Sequence, residues 1–188
     1  MDSKTPTRLG RALALAVACA VVALSAAPAL AGSGGTGGPG SGGGGGGGSS
    51  GPAGKAKLKQ GLAVAPSNAP VRVKKVIAAA NKIAKGKGYC MGGGHGDWND
   101  NCYDCSGSVS YALHGGDFVN SPMPSGSYRN WGKSGKGKWI SVYANDGHMY
   151  AVIAGLRFDT SMTAGKGPGW SKEMRSSSGF NTRHPKNF

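Results

Sequence analysis

From residue 32 to residue 54 the chain is almost wholly glycine and serine with a few prolines. Such a run has high backbone entropy and nothing to bury, so it acts as a tether and cannot join a core. Any fold must therefore be built from the residues that follow it. In a chain of 188 residues these suffice for one globular domain. The sequence divides into residues 1–31, a tether and basic linker at 32–66, and a candidate domain at 67–188.

The first 31 residues begin with a basic stretch containing Lys4, Arg8 and Arg11 and continue through an apolar run at residues 12–27. They close on the small-residue set Ala29-Leu30-Ala31. That order is expected of a secretory signal peptide and places the mature protein outside the cytoplasm, secreted or in the cell envelope. If the segment stays uncleaved, the apolar run approaches the length of a membrane anchor, and a membrane becomes a partner only in that case. Cys19 follows Ala16-Val17-Ala18 as in a lipidation site, but it sits mid-run with apolar residues on both sides, which argues against that role.

Charge narrows the partners. The chain has 22 Lys and Arg against 8 Asp and Glu, a net charge of +14, which favours anionic surroundings. The basic residues are spread along the sequence and no nucleic-acid-binding module is recognisable, so nucleic acid is not expected. For an exported protein, anionic wall polymers are the expected polyanion. Solubility is the simplest alternative use of the charge.

Beyond the linker, Ser67 or Asn68 can cap a helix with Pro70 in its first turn that ends near Gly86. Val73, Val76, Ile77, Ala80, Ile83 and Ala84 form its apolar stripe. Residues 87–103 are rich in Gly, Asp and Asn and read as loop. Residues 105–114 form a second helix closed by Gly115 and Gly116, with Val109, Ala112 and Leu113 inward. Strands are expected at 139–143, 148–154, 156–160 and 180–183. Helices first and strands after them predict an α+β fold, N-terminal helices packed on an antiparallel β-sheet. Tyr128, Trp131, Trp139 and Trp170 read as core aromatics more readily than as a substrate groove.

The chemistry concentrates at Asp104-Cys105-Ser106-Gly107. Asp104 can cap the second helix, and Cys105 in its first turn lies near the positive end of the helix dipole, which favours the attacking thiolate. Cys105, Val109 and Ala112 share one helical face, directing the thiol toward the sheet. On the sheet side, a two-residue turn at Ala154-Gly155 sets Asp159 opposite Tyr150. Asp159 then becomes a diagonal neighbour of His148, as a base and its orienter would stand. Alone, a cysteine in an exported protein is usually half a disulfide, and a strand-end histidine is usually polar surface.

Cleavage of the leader leaves three cysteines, Cys90, Cys102 and Cys105, so one thiol is left over. Pairing Cys90 with Cys102 would spare Cys105. Three other uses compete: a redox pair at Cys102 and Cys105, a zinc site with Cys90 and His95, and plain structural disulfides. Nothing strand-like precedes Cys102 as a redox pair requires, and a zinc site would need irregular spacing through a glycine loop. Asp97, Asn99 and Asn101 begin like a calcium loop, but Cys102 stands where glycine is needed and no Glu follows. No metal and no cofactor are expected.

Taken together, Tyr89-Cys90-Met91-Gly92-Gly93, Asp104-Cys105-Ser106-Gly107, Gly147-His148 and Phe158-Asp159-Thr160 resemble the NlpC-type papain-like cell-wall cysteine endopeptidases, over residues 67–188. The resemblance implies a papain-like fold with Cys105 as nucleophile, His148 as base and Asp159 as orienter. It also implies Tyr89 beside the site, Ser106 next to the nucleophile as substrate or oxyanion support, and peptidoglycan stem peptides as substrate. This sequence departs from the pattern at Met91, where an aromatic is usual, in the long polar loop before Asp104, and at Asp159, where histidine is commoner. A non-catalytic wall-binding protein on the same fold, or a thiol acyltransferase or amidase, are the alternative readings.

Overall fold

The computed structural model describes residues 53–161 and 167–188. The expected signal peptide and nearly all of the glycine tether lie outside them. Two helices are long enough to organise a core. Helix α1, Val71–Ala84, buries Val73, Val76, Ile77, Ala79, Ala80 and Ile83 along one stripe. Helix α2, Cys105–Gly115, buries Val109, Ala112 and Leu113 and packs against α1. Pro70 itself holds the N-cap position of α1, so Ser67 and Asn68 do not. Proline suits that place because its fixed φ fits the helix entry and its missing N–H removes one orphan donor.

A six-stranded sheet follows, with neighbours in the order β3 (Lys133–Ser134), β8 (Asn181–His184), β4 (Ile140–Ala144), β5 (Met149–Ile153), β6 (Leu156–Asp159) and β7 (Gly169–Ser171). All its pairings are antiparallel. A short helix α3, Ser125–Tyr128, precedes β3. The β5–β6 connection is the two-residue turn expected at Ala154 and Gly155, both at positive φ (46° and 82°). Ile153 opposes Leu156 and Ala151 opposes Phe158, the register that places Tyr150 and Asp159 on one face. Such a turn matches the twist of the strands it joins.

The architecture is α+β, helices on one face of an antiparallel sheet. Met149, Ala151, Ile153, Ile140, Val142, Ala144 and Phe158 supply the sheet's share of the core. Tyr128, Trp139 and Trp170 are buried, and Trp131 packs partly buried against the same core.

The linker reading of residues 55–66 needs correction. Residues Lys57–Lys59 (β1) and Leu62–Val64 (β2) form a hairpin whose Ala63, with the preceding Ala56, joins the core. Asn81 on α1 fixes it, accepting from Ala63 N at 3.0 Å and donating to Ala63 O at 2.9 Å. Ala56 N also donates to Ala154 O at 2.8 Å, tying the hairpin to the β5–β6 turn.

Candidate active site

The site forms where the start of α2 meets the start of β5. Asp104 caps α2, its Oδ1 accepting from Gly107 N at 2.7 Å and its main-chain oxygen from Ser108 N at 3.0 Å. Cys105 and Ser106 are the first two residues of the helix, and their backbone N–H groups have no partner among the described residues. They point where an incoming oxyanion can use them.

The glycine loop of residues 88–94 is pinned against this helix. Cys90 and Cys102 form a disulfide (Cα–Cα 5.6 Å), and Asp104 N donates to Gly93 O at 3.1 Å. A β-carbon at Gly107 would collide with the Gly93 carbonyl, so only glycine allows this approach. The disulfide consumes Cys102 and Cys90, which rules out the redox pair with Cys105 and the zinc site with His95. Cys105 is the free thiol among the described residues, half-buried. Those residues hold no group of three or more His, Cys, Asp or Glu arranged for a metal.

His148 enters from a tight corner. Asn145 Oδ1 accepts from Gly147 N at 3.0 Å and His148 N at 2.8 Å, while Asn145 N donates to His148 O at 2.9 Å. That Asx-type bracing fixes the backbone from which the ring projects. The ring's Nε2 lies 3.0 Å from Asp159 Oδ1, and the ring feels the Cys105 side chain electrostatically. With Nε2 given to the carboxylate, Nδ1 is the nitrogen left for the sulfur. The Asp159 bond, then the Cys105 interaction, raise the imidazolium pKa to about 9, against a smaller opposing effect of burial.

Asp159 is fully buried, and burial alone would raise its carboxyl pKa. Bonds from His148 Nε2, Ser161 N (3.0 Å) and Ser161 Oγ (2.9 Å) outweigh burial and hold the group well below the usual carboxylate range. Arg175 Nη1 adds a bond to Oδ2 at 3.2 Å and one to Ser161 Oγ at 3.1 Å. Arg157 Nε lies 3.8 Å from Oδ2, buried and without a hydrogen-bond partner among the described residues. A carboxylate ringed by three cationic side chains stays ionised.

The structure thus brings Cys105, His148 and Asp159 together, with His148 interacting with both of the others. Tyr89 is 39% exposed, and burial, then the charges of Cys105 and Asp104, raise its phenol pKa. Ser106 turns inward instead of toward a substrate, its Oγ donating to Asp104 Oδ1 at 3.1 Å.

Residues whose roles were not anticipated from the sequence complete the surroundings, among them His95, expected above only as a zinc candidate. His95 Nε2 lies 3.1 Å from both Asp104 Oδ1 and Ser106 Oγ, closing the cap from the loop side. Arg175, Arg157 and Ser161 hold the orienting carboxylate. Arg157 could have been found, since it alternates with Asp159 on one strand. Arg175 lies in a stretch with no periodicity to follow.

These positions can serve nucleophilic acyl chemistry: a half-buried thiol, a base oriented by a buried carboxylate, and unpartnered amides at a helix start. No family model matches the sequence, and no curated protein matches it. Among solved structures the chain is similar to the P60 domain of antigen MAP1204 from M. avium subspecies paratuberculosis, at 23% identity and a TM-score of 0.43, covering 60% of this chain and 93% of that one. It is also similar to the peptidoglycan hydrolase RipB from Mycobacterium tuberculosis, at 26% identity and a TM-score of 0.47, covering 64% of this chain and 68% of that one.

Proposed function

We propose that this protein is an exported cysteine endopeptidase that hydrolyses amide bonds in peptidoglycan stem peptides. The observation that supports the reading is the His148 ring bonded to the buried Asp159 carboxylate and interacting with the Cys105 thiol. The substrate class comes from the resemblance of the motifs around Tyr89, Cys105, His148 and Asp159 to NlpC-type enzymes.

Cys105 transfers its proton to His148, and the resulting imidazolium is stabilised by Asp159. The thiolate attacks the amide carbonyl carbon, and the electron pair of the C=O bond moves to oxygen. The Cys105 N–H and the Tyr89 hydroxyl are the donors supporting that oxyanion. As the tetrahedral adduct collapses, the C–N bond breaks and His148 gives its proton to the departing amine. Neutral His148 then removes a proton from water, hydroxide displaces the thiolate from the thioester, and the acid product leaves.

The test is the release of soluble fragments from purified peptidoglycan by wild-type protein and by Cys105→Ala and His148→Ala variants. The reading expects release by the wild type alone. Equal release by all three would end it.

A further inference from the structure

A second feature lies on the sheet face away from the helices. A cleft of about 340 Å³ is lined by Lys136, Lys138 and Arg175, with Ser141 and Tyr143 along its floor, and no acidic side chain lines it. Arg175 spends Nη1 on Asp159 and Ser161, while its Nε and Nη2 have no hydrogen-bond partner among the described residues. Half of a guanidinium fork is thus left for an oxyanion that can take two parallel bonds.

A second basic depression lies next to the cleft. Gly155 lines the first, and a β-carbon placed on it would lie 3.5 Å from Lys55 Cγ. Lys55, Lys57 and Lys59 line the second depression, of about 360 Å³, again with no acidic residue. On β1 the spacing of two sets Lys57 and Lys59 on one face, about 6.6 Å apart, with Lys55 just before the strand. Two adjoining cationic sites fit an anion that repeats along a chain better than one small ion.

The aromatic residues separate the kinds of polyanion. Tyr143 and Tyr150 stack on each other at 4.7 Å with Phe180 edge-on to Tyr150, and Trp139, Tyr143 and Tyr150 are 3%, 6% and 2% exposed. No ring in the cleft offers a face on which a base could stack, the platform that single-stranded nucleic acid uses. From this geometry we infer that the two neighbouring basic depressions, one with Lys136 and Arg175 and the other with Lys57, bind the phosphate groups of a linear, base-free polyphosphodiester-type polyanion. This binding is independent of the peptidase reading and requires no catalysis.

Calorimetric titration of the full chain with linear inorganic polyphosphate and with oligothymidylate of the same number of phosphates, at several salt concentrations, tests it. Polyphosphate should bind more tightly. Lys136→Gln and Lys57→Gln should each weaken it several-fold and lower the salt slope by about one. Lys82→Gln, an exposed lysine on α1, should leave both unchanged. If Lys82→Gln weakens binding as much as the cleft variants do, the attraction is the general field of a basic chain and the site is refuted. Tighter binding of oligothymidylate would also overturn it and point to nucleic acid.

Discussion

Strands β5 and β6 show two surfaces on alternate residues. On one face Met149, Ala151, Ile153 and Phe158 lie under the helices and are 0% exposed. On the other face, Tyr150, Val152, Arg157 and Asp159 carry rings, charges and the orienter of the catalytic base. The first face gains stability from area removed from water and packing without voids. The second is held by mutual satisfaction of charges, and its cost in desolvation is tolerated because it poises His148. Adjacent residues on the same strand should therefore fail in different ways when altered.

Phe158→Ala should have the largest effect. It removes a fully buried ring that packs on Trp170 at 4.9 Å between centroids, and should lower unfolding free energy by about 3–5 kcal/mol. Urea unfolding measures this, and fragment release per folded molecule should change little. A loss under about 1 kcal/mol would mean that this face is not the main source of stability.

Asp159→Asn, one residue along, should leave the fold and abolish the poise. The carboxamide keeps the volume but cannot stabilise imidazolium, so kcat/KM for stem-peptide cleavage should fall about a hundredfold or more. Most of the change should appear in kcat, with far-ultraviolet circular dichroism unchanged. A normal kcat would remove Asp159 from the mechanism.

The pH dependence sharpens the same contrast. With His148 raised to about 9, the imidazolium partnered to Cys105 persists through neutral pH, and activity should fall as pH rises through about 9. In Asp159→Asn that limb should move toward the ordinary histidine range near 6.5. Stability follows the same sign. The raised His148 stabilises the fold fully below about 6.5, and that contribution is lost as pH climbs to about 9. The depressed Asp159 stabilises it above the ordinary carboxylate range and loses that contribution in acid. An alkaline limb unmoved by Asp159→Asn would show that another group sets it.

Much of this arrangement was legible because two periodicities and one turn determine it. Helical spacing from Cys105 to Ala112 aimed the thiol, and the turn at Ala154 and Gly155 set the register that brings Asp159 to His148. The hairpin at Lys57 to Val64 was not legible, since its buried contribution is Ala63, with Ala56 just before it, and two half-buried leucines among lysines. Its place depends on Asn81 and Ala154, far along the chain. Arg175 escaped for a related reason: a long side chain reaching into a network from an irregular segment leaves no pattern in its neighbours. The cysteine pairing was one of several open choices, resolved only when the loop is folded back over Gly107.

The smallest effect tests the comparison most directly, because one isosteric change can be made on both faces. Val142 on β4 is 0% exposed and opposes Ala151 on the core face. Val142→Thr buries a hydroxyl among apolar side chains and should cost about 1–3 kcal/mol. Val152 is half-buried on the other face, between Ser141 and Arg157 in the cross-strand register. There a hydroxyl is among polar neighbours, including Arg157 Nε, which lacks a hydrogen-bond partner among the described residues. Val152→Thr should fall within about 0.5 kcal/mol of the parent, with either sign. Equal losses from the two substitutions, measured by urea unfolding under one buffer, would mean that the outer face is as intolerant of a new polar group as the core, and that its charges are held by shape as much as by pairing.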